Sequence, residues 1–287
     1  MGAMISALPL PHHAQGMPAM VEDRLDADHP LRGAVLALGN FDGFHLGHQG
    51  LARMAQRLAA GRPVAVMSCE PHPRSFFGKE TAPFRLATPA ARRVQLGQHG
   101  VDFIYSPRFD RAFASLSPLE FVDRILVEAL GVAHVIAGPD FRFGNRRAGD
   151  MALLSELGAA RGFGVGIAPD ITHAGVRVSS TLVRAAIEAG DLSGAARLMG
   201  HGWLVETERT ADGRLWLHPT LCRPRPGRYL ACIEGRNEWL HVEITGDGEF
   251  RPLGPHSLQA PPQLWRLERQ MNGCSSLAGG GPLAPAV

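Results

Sequence analysis

Five short, continuous apolar runs separated by segments of helical pattern constrain the fold of this 287-residue chain more than any other feature. Runs of this kind are expected for strands buried on both faces of a parallel sheet. They occupy residues 34–40, 63–70, 101–107, 133–140 and 162–169. Helices are predicted between them, over residues 50–58, 89–98, 118–130 and 150–161. The alternation predicts an α/β fold with a doubly wound parallel sheet, whose ligands bind at the carboxyl ends of the strands.

The charge balance excludes two classes of partner. The chain has 29 Lys and Arg residues against 27 Asp and Glu residues, spread along its length. It therefore lacks the basic surface that nucleic acids or membranes select, and small molecules are the expected partners. Lys79 is the only lysine and does not follow the glycine pattern of a Walker-type phosphate loop. Any phosphate must be held by Arg, His, hydroxyls or backbone N–H groups.

The chain divides into two domains with loose ends. Residues 1–30 are predicted to be a flexible leader, residues 31–200 the α/β domain, residues 201–272 a small β domain and residues 273–287 a flexible tail. The 4 cysteines form no CxxC pair, which favours a reduced, cytoplasmic protein. No apolar run reaches the roughly 18 residues that span a bilayer. The sequence leaves the oligomeric state open.

The stretch GNFDGFHLGH, residues 39–48, follows the first predicted strand and leads into the first helix. A helix N-terminus presents backbone N–H groups to an anion, and the glycines let that anion come close. His45 and His48 add donors that can carry positive charge, which suits a phosphoryl group in a transition state. Two surface histidines are the alternative interpretation. A metal site lacks a third ligand nearby in the sequence.

The stretch VSSTLVR, residues 178–184, places hydroxyl groups before a short predicted helix. Ser179, Ser180 and Thr181 can each serve as ordinary helix caps. Together with Arg184, expected on the first turn, they form a second anion site that suits a pyrophosphate leaving group. Two anion sites at one sheet edge indicate a nucleoside triphosphate.

These two stretches resemble the paired motifs of the nucleotidyltransferase superfamily, GxFDxxHxGH and (I/V)SSTxIR. Further blocks resemble, in the same order, the adenylyltransferase half of the bacterial bifunctional riboflavin kinase/FAD synthetases: EPHPRSFF, FDRAFASLSPLEFV and AGPDFRFGNRRAGD. The resemblance covers residues 34–200. It implies transfer of AMP from ATP to FMN, giving FAD and pyrophosphate by in-line displacement, with Mg²⁺ accompanying the triphosphate.

The resemblance also implies roles for individual residues. His45 is expected to contact the α-phosphate and His48 to hold the phosphates from the adjacent turn, with Arg184 as a third catalytic residue. The remaining ATP contacts are expected from Gly39, Asn40, Phe41, Ser179, Ser180 and Thr181. The flavin contacts are expected from His72, Pro73, Asp140, Phe141, Arg142 and Phe143. Phe141 and Phe143 can equally be core residues beside a turn. No protein ligand for Mg²⁺ is assigned.

The small β domain resembles a riboflavin kinase barrel that has lost its kinase motif. HPTLC, residues 218–222, keeps the Pro and Thr of the family's PTAN motif, but the preceding glycine series is missing. We therefore expect a shortened, degenerate barrel without riboflavin kinase activity. Two alternatives stay open: a nucleotidyltransferase for another phosphorylated acceptor, and a non-catalytic flavin- or nucleotide-binding paralogue.

Overall fold

The computed structural model describes residues 16–78, 82–253 and 264–271. The α/β domain contains a six-stranded parallel sheet in the order β1-β4-β3-β2-β5-β6. Its strands are β1 (Ala19–Val21), β2 (Val35–Leu38), β3 (Val64–Met67), β4 (Phe103–Tyr105), β5 (His134–Ala137) and β6 (Gly164–Ile167). The five predicted strands are confirmed, and so is the doubly wound parallel arrangement. The order reverses between β2 and β5, which creates a crevice at their carboxyl ends.

The sheet's first strand lies inside the segment expected to be a loose leader. Ala19–Val21 pairs in parallel with β4 at the sheet edge. Three residues, two of them exposed, are too few to give a strand pattern. Residues 1–15 and the expected tail, residues 273–287, lie outside the described part of the chain.

Helices cover both faces of the sheet. The longer ones are α1 (Leu46–Ala59), α3 (Pro89–Gln98) and α6 (Met151–Arg161), and short helices α2 (Pro73–Phe76) and α4 (Arg111–Ala114) precede β4 and β5. Helix α5 (Pro118–Glu120) continues as a π-helix over Phe121–Ala129. Helix α1 begins four residues earlier than predicted, because glycines in its first turn hide the apolar pattern.

After β6 the chain forms a hairpin, β7 (Thr172–His173) and β8 (Val176–Arg177), and then two helices, α7 (Ser180–Glu188) and α8 (Leu192–Met199). Both helices pack against the barrel core rather than the sheet. Among the described residues, no helix combines the length and the apolar character needed to cross a bilayer.

The small β domain is a closed barrel of six antiparallel strands. The strands are β9 (Trp203–Arg209), β10 (Leu215–Leu217), β11 (Gly227–Ile233), β12 (Trp239–Ile244), β13 (Glu249–Leu253) and β14 (Leu264–Met271). Strand β14 closes the barrel by pairing with β9 and β11. The interior is filled by large side chains, with Trp203, Trp265, Tyr229 and Phe250 almost fully buried.

Candidate active site

The loop after β2 places His45 and His48 side by side at the start of α1. His45 is the N-cap residue, and its Nδ1 accepts a hydrogen bond from the backbone N–H of His48. The two imidazole rings stack with their centroids 3.7 Å apart. A Cβ on Gly47 would lie 3.0 Å from His45 Cε1, so the glycine between the histidines leaves room for this stack. Because Nδ1 accepts, the neutral His45 ring carries its proton on Nε2.

Burial makes both imidazoles neutral donors rather than cations. Burial lowers the pKa of His45 to about 4 and the pKa of His48 well below its usual range. Donors that can carry positive charge are expected from the sequence, and the structure differs because both imidazoles are desolvated. His48 Nδ1 is buried without a hydrogen-bond partner, and its ring centroid lies 5.0 Å from that of Phe41.

The predicted nucleotide contacts occupy different environments. Phe41 is fully buried and has a left-handed backbone conformation. Its ring packs against the ring of His48. Ser179 caps α7 through Leu182 N–H, and Ser180 Oγ donates to Asp42 O at 3.0 Å. Thr181 is exposed. The serine after the cap and the threonine lie within the first helical turn, and Arg184 lies one turn later than expected.

The loop between β2 and α1, residues 39–45, is named here the histidine loop. Arg184 contacts Asp42 of this loop and also Phe84. Its Nε donates to Phe84 O at 2.6 Å, and its Nη2 lies 3.6 Å from Asp42 Oδ2. Phe84 belongs to residues 84–88, named here the 84–88 loop. Asp42 Oδ1 accepts from the N–H groups of Leu86 and Ala87 at 2.9 and 3.0 Å. The two stretches predicted to bind anions therefore meet at the buried carboxylate of Asp42. No role is predicted for this residue from the sequence.

Asp42 is buried, and hydrogen bonds from the 84–88 loop hold its carboxyl group in place. Burial raises the pKa of this carboxyl, although the two loop N–H groups and the nearby arginines oppose the increase. Its Oδ2 has no hydrogen-bond partner. Gly43 follows it with a φ of 78°, and a Cβ there would lie 2.8 Å from Leu86 Cβ. The close approach of the two loops thus requires glycine at this position.

A cavity of about 690 Å³ opens beside the histidine loop at the switch point of the sheet. Of the residues predicted to contact the nucleotide or the flavin, Gly39, Asn40, Pro73 and residues 140–143 line it. Further walls that the sequence analysis did not assign come from Met67, Cys69, Arg74, Phe77, Phe109, Phe113, Ala114, Leu116, Phe121, Gly144, Arg146 and Arg147. These residues belong to separate segments of the chain, so no spacing in the sequence links them.

The residues predicted to contact the flavin differ in their surroundings, and His72 is the one that does not line the cavity. His72 is buried and caps α2 through Arg74 N–H, with its ring 5.1 Å from that of Phe84. Phe143 is buried against Phe121, whereas Phe141 is half-buried and stacks over Phe143 at 6.0 Å. Asp140 is exposed and forms an ion pair with Arg177. Arg142 pairs with Asp150 at 3.3 Å.

A buried ion-pair network supports the cavity wall. Glu70 accepts two hydrogen bonds from Arg85 at 2.9 and 2.7 Å and one from Arg92 at 2.6 Å. Burial alone would raise the pKa of Glu70, but the two guanidinium groups lower it below its usual value. Next to it, burial raises the pKa of the Cys69 thiol to about 12, so this cysteine is a neutral wall residue and not a nucleophile.

The described residues do not form a protein cage for Mg²⁺. They contain no group of three or more His, Cys, Asp and Glu side chains that would hold a metal ion. The nearby carboxylates of Glu70 and Asp140 are engaged by arginines. Mg²⁺ is usually held by substrate phosphates with few protein ligands, so we expect it to arrive with the triphosphate as part of the substrate.

The buried histidines predict that acid destabilises the fold. Burial lowers the pKa of His45 and that of His72 to about 4, from an ordinary value of 6.5. Between these pH values the unfolded chain binds protons that the folded chain does not, so the free energy of unfolding falls as pH decreases through this window. We expect the thermal unfolding midpoint to decrease steadily from pH 6.5 to pH 4.5.

A matched pair of variants tests this pH prediction. His72→Gln removes one buried imidazole and is expected to flatten the pH dependence, whereas His241→Gln replaces an exposed histidine on β12 and is expected to leave it unchanged. Calorimetry at several pH values measures both. Equal slopes for the two variants would contradict the assignment to buried imidazoles.

Comparisons with known proteins bear on this geometry. A sequence model of the FAD synthetase family matches residues 27–182. The bifunctional riboflavin kinase/FMN adenylyltransferase of Pseudomonas fluorescens is 48% identical over 176 residues, which is 61% of this chain and 56% of that protein. The Escherichia coli K12 protein of the same description is 40% identical over 247 residues, covering 84% of this chain and 78% of that protein.

A solved structure shows the same overall fold. The chain described as a macrolide-efflux protein from Streptococcus pneumoniae superposes with a TM-score of 0.73, covering 92% of this chain and 93% of that one. The two sequences are 23% identical. At that level the likeness establishes the arrangement of sheet and barrel, and nothing about ligands.

Proposed function

Because this chain belongs to the FAD synthetase family, we propose that it is an FMN adenylyltransferase, which transfers AMP from ATP to FMN and releases pyrophosphate. The observation that supports this most strongly is the position of the 690 Å³ cavity, whose wall includes Gly39 and Asn40 of the histidine loop. An aromatic-lined cavity adjoining a phosphate site fits a ligand that is both a flat ring system and a phosphate. FMN has both parts.

The proposed reaction is a single displacement at phosphorus. An oxygen of the FMN phosphate forms a bond to the α-phosphorus of ATP, and the bond from that phosphorus to the bridging oxygen of pyrophosphate breaks. His45 Nε2–H donates to an α-phosphate oxygen as negative charge develops, and the N-terminal N–H groups of α1 add to this stabilisation. Ser179, Ser180, Thr181 and Arg184 hold the β- and γ-phosphates. No covalent enzyme intermediate is needed.

Isoalloxazine binding is assigned to the aromatic part of the cavity. Phe77, Phe109, Phe113 and Phe141 line this part, and Arg142 and Arg146 add cationic side chains to the lining. Aromatic side chains stack on a flat ring, and guanidinium groups pair with a phosphate tail. The sequence allows Phe141 and Phe143 to be either flavin contacts or core residues. We assign Phe141 to the flavin and Phe143 to the core.

Two alanine variants test that separation. Phe141→Ala is expected to weaken FMN binding about tenfold with little loss of stability, since its ring is half-buried. Phe143→Ala is expected to lower the free energy of unfolding by about 3–5 kcal/mol, because its ring is buried. Quenching of flavin fluorescence and chemical denaturation measure the two effects. The assignment is wrong if Phe143→Ala is as stable as the parent chain.

We further propose that the barrel has no riboflavin kinase activity. Of its degenerate motif, Cys222 is fully buried, and burial raises the pKa of its thiol, so it offers no hard oxygen ligand for Mg²⁺. Arg223 donates to the carbonyl groups of His218 and Leu221 and so holds the turn of the motif. Glu243 on β12 is the carboxylate nearest to the family's catalytic base in sequence order, and it pairs with Arg251 at 3.6 Å.

Incubation with flavins tests both parts of the proposal. Purified chain with ATP and Mg²⁺ is expected to convert FMN to FAD and to leave riboflavin unchanged, as resolved by chromatography. FMN produced from riboflavin would overturn the statement on the kinase. Failure to convert FMN, with conversion of another phosphorylated acceptor such as phosphopantetheine, would overturn the choice of acceptor. We place the reaction in the cytoplasm, where the cysteines described as free would remain reduced.

A further inference from the structure

The barrel's degenerate kinase motif is paired with the α/β domain. Arg85 N–H donates to Thr220 O at 2.9 Å, and Cys222 N–H donates to Arg85 O at 2.8 Å. Arg85 and Leu221 thereby form an isolated parallel β-bridge. Leu221 and Cys222 are fully buried. A segment that no longer matches a kinase site thus binds the 84–88 loop through its backbone.

A second barrel residue binds the same loop. The indole Nε1 of Trp203, on β9, donates to Leu86 O at 2.8 Å. Trp203 is fully buried, and its ring belongs to the barrel core. The 84–88 loop is therefore attached to the barrel at two adjacent residues, Arg85 and Leu86.

The 84–88 loop also contacts Arg184, which is assigned to the triphosphate, and Asp42 beside it. Phe84 O accepts from Arg184 Nε at 2.6 Å. The N–H groups of Leu86 and Ala87 bind Asp42, whose second carboxylate oxygen lies 3.6 Å from Arg184 Nη2. The barrel contacts and the contacts to Arg184 and Asp42 thus lie within four consecutive loop residues, 84–87.

Resting on the proposed adenylyl transfer, we propose that the barrel is a positioning element of the adenylyltransferase site: Trp203 and residues 220–222 fix the 84–88 loop so that it orients Arg184 toward the ATP phosphates. Arginine has many rotamers, and an interaction with phosphate is stronger when the guanidinium is already held in place. The barrel would then serve adenylyl transfer without any chemistry of its own. Neither Trp203 nor Leu221 contacts substrate in this proposal.

A matched pair of tryptophan variants tests the proposal. Trp203→Phe removes the indole donor to Leu86 O and keeps an aromatic ring in the core. Trp265→Phe makes the same change in the same core, where the indole donates to Thr207 Oγ1 at 3.2 Å instead of to the loop. We expect Trp203→Phe to raise KM for ATP roughly tenfold with KM for FMN unchanged, and Trp265→Phe to leave both values at the parent level.

A double-mutant cycle identifies Arg184 as the residue through which the loop acts. In an Arg184→Ala background, Trp203→Phe is expected to change KM for ATP less than about twofold, because the group that the loop orients is absent. Arg223→Ala provides a second variant, because the guanidinium of Arg223 holds the turn that carries Leu221 and Cys222. It too is expected to raise KM for ATP selectively.

The outcomes separate this inference from the proposed function. A parent-level KM for ATP in the folded Trp203→Phe protein, an equal rise in Trp265→Phe, or full additivity with Arg184→Ala overturns the positioning role. If Trp203→Phe does not fold, a parent-level KM for ATP in Arg223→Ala overturns it. Absence of FAD formation by the parent chain overturns the proposed function itself.

Discussion

Replacing His45 by alanine is expected to reduce kcat for FAD formation by about a hundredfold, the typical effect of removing one preorganised donor to a developing oxyanion. The donor is Nε2–H, since Nδ1 accepts from His48 N–H. FMN affinity is expected to stay near the parent value, because His45 does not line the flavin cavity. Steady-state kinetics and flavin titration measure the two effects.

The control for this variant separates catalysis from helix capping. His45 caps α1, so its loss alone costs about 1 kcal/mol of stability. Asparagine is a good N-cap residue but lacks a donor at the position of Nε2. We expect His45→Asn to keep more stability than His45→Ala while losing as much activity. Parent-level turnover in either variant would contradict the role of His45.

Replacing Arg184 by lysine is expected to raise KM for ATP about tenfold or more, with a smaller effect on FMN. Lysine keeps the charge but has a single nitrogen in place of the planar fork, so it cannot bond Phe84 O through one nitrogen and hold phosphate oxygens through the others. Arg197→Lys on α8 is the matched control, because Arg197 is largely exposed and pairs with Asp191 only at 3.9 Å. An unchanged KM for ATP in Arg184→Lys would remove this residue from the phosphate site.

Local patterns in the sequence predict the elements that carry the histidines, but not the contacts that set their chemistry. The apolar runs of β2 and β5 predict buried parallel strands with ligands at their carboxyl ends, and the motif that follows β2 predicts an anion site. The neutral state of His45 depends on burial by distant segments, which no local pattern contains. For the same reason the sequence predicts positive charge on His45 and His48, although burial makes both side chains neutral.

The residues that sequence reasoning missed act through tertiary contacts. Asp42 lies inside the quoted motif, yet its partners Leu86 and Ala87 are more than forty residues away in the chain. Phe77, Phe109 and Arg146 come to the cavity from three separate loops. The edge strand Ala19–Val21 is too short for a periodic pattern, and its pairing with β4 decides its conformation.

Transfer of label from ATP to flavin tests the central claim most directly. The chain is incubated with FMN and ATP that carries radioactive phosphorus either at the α-position or at the γ-position, and the flavins are separated by chromatography. Adenylyl transfer predicts label in FAD from α-labelled ATP and none from γ-labelled ATP, with γ-label in pyrophosphate. Flavin without α-label, or flavin labelled from the γ-position, would contradict the account.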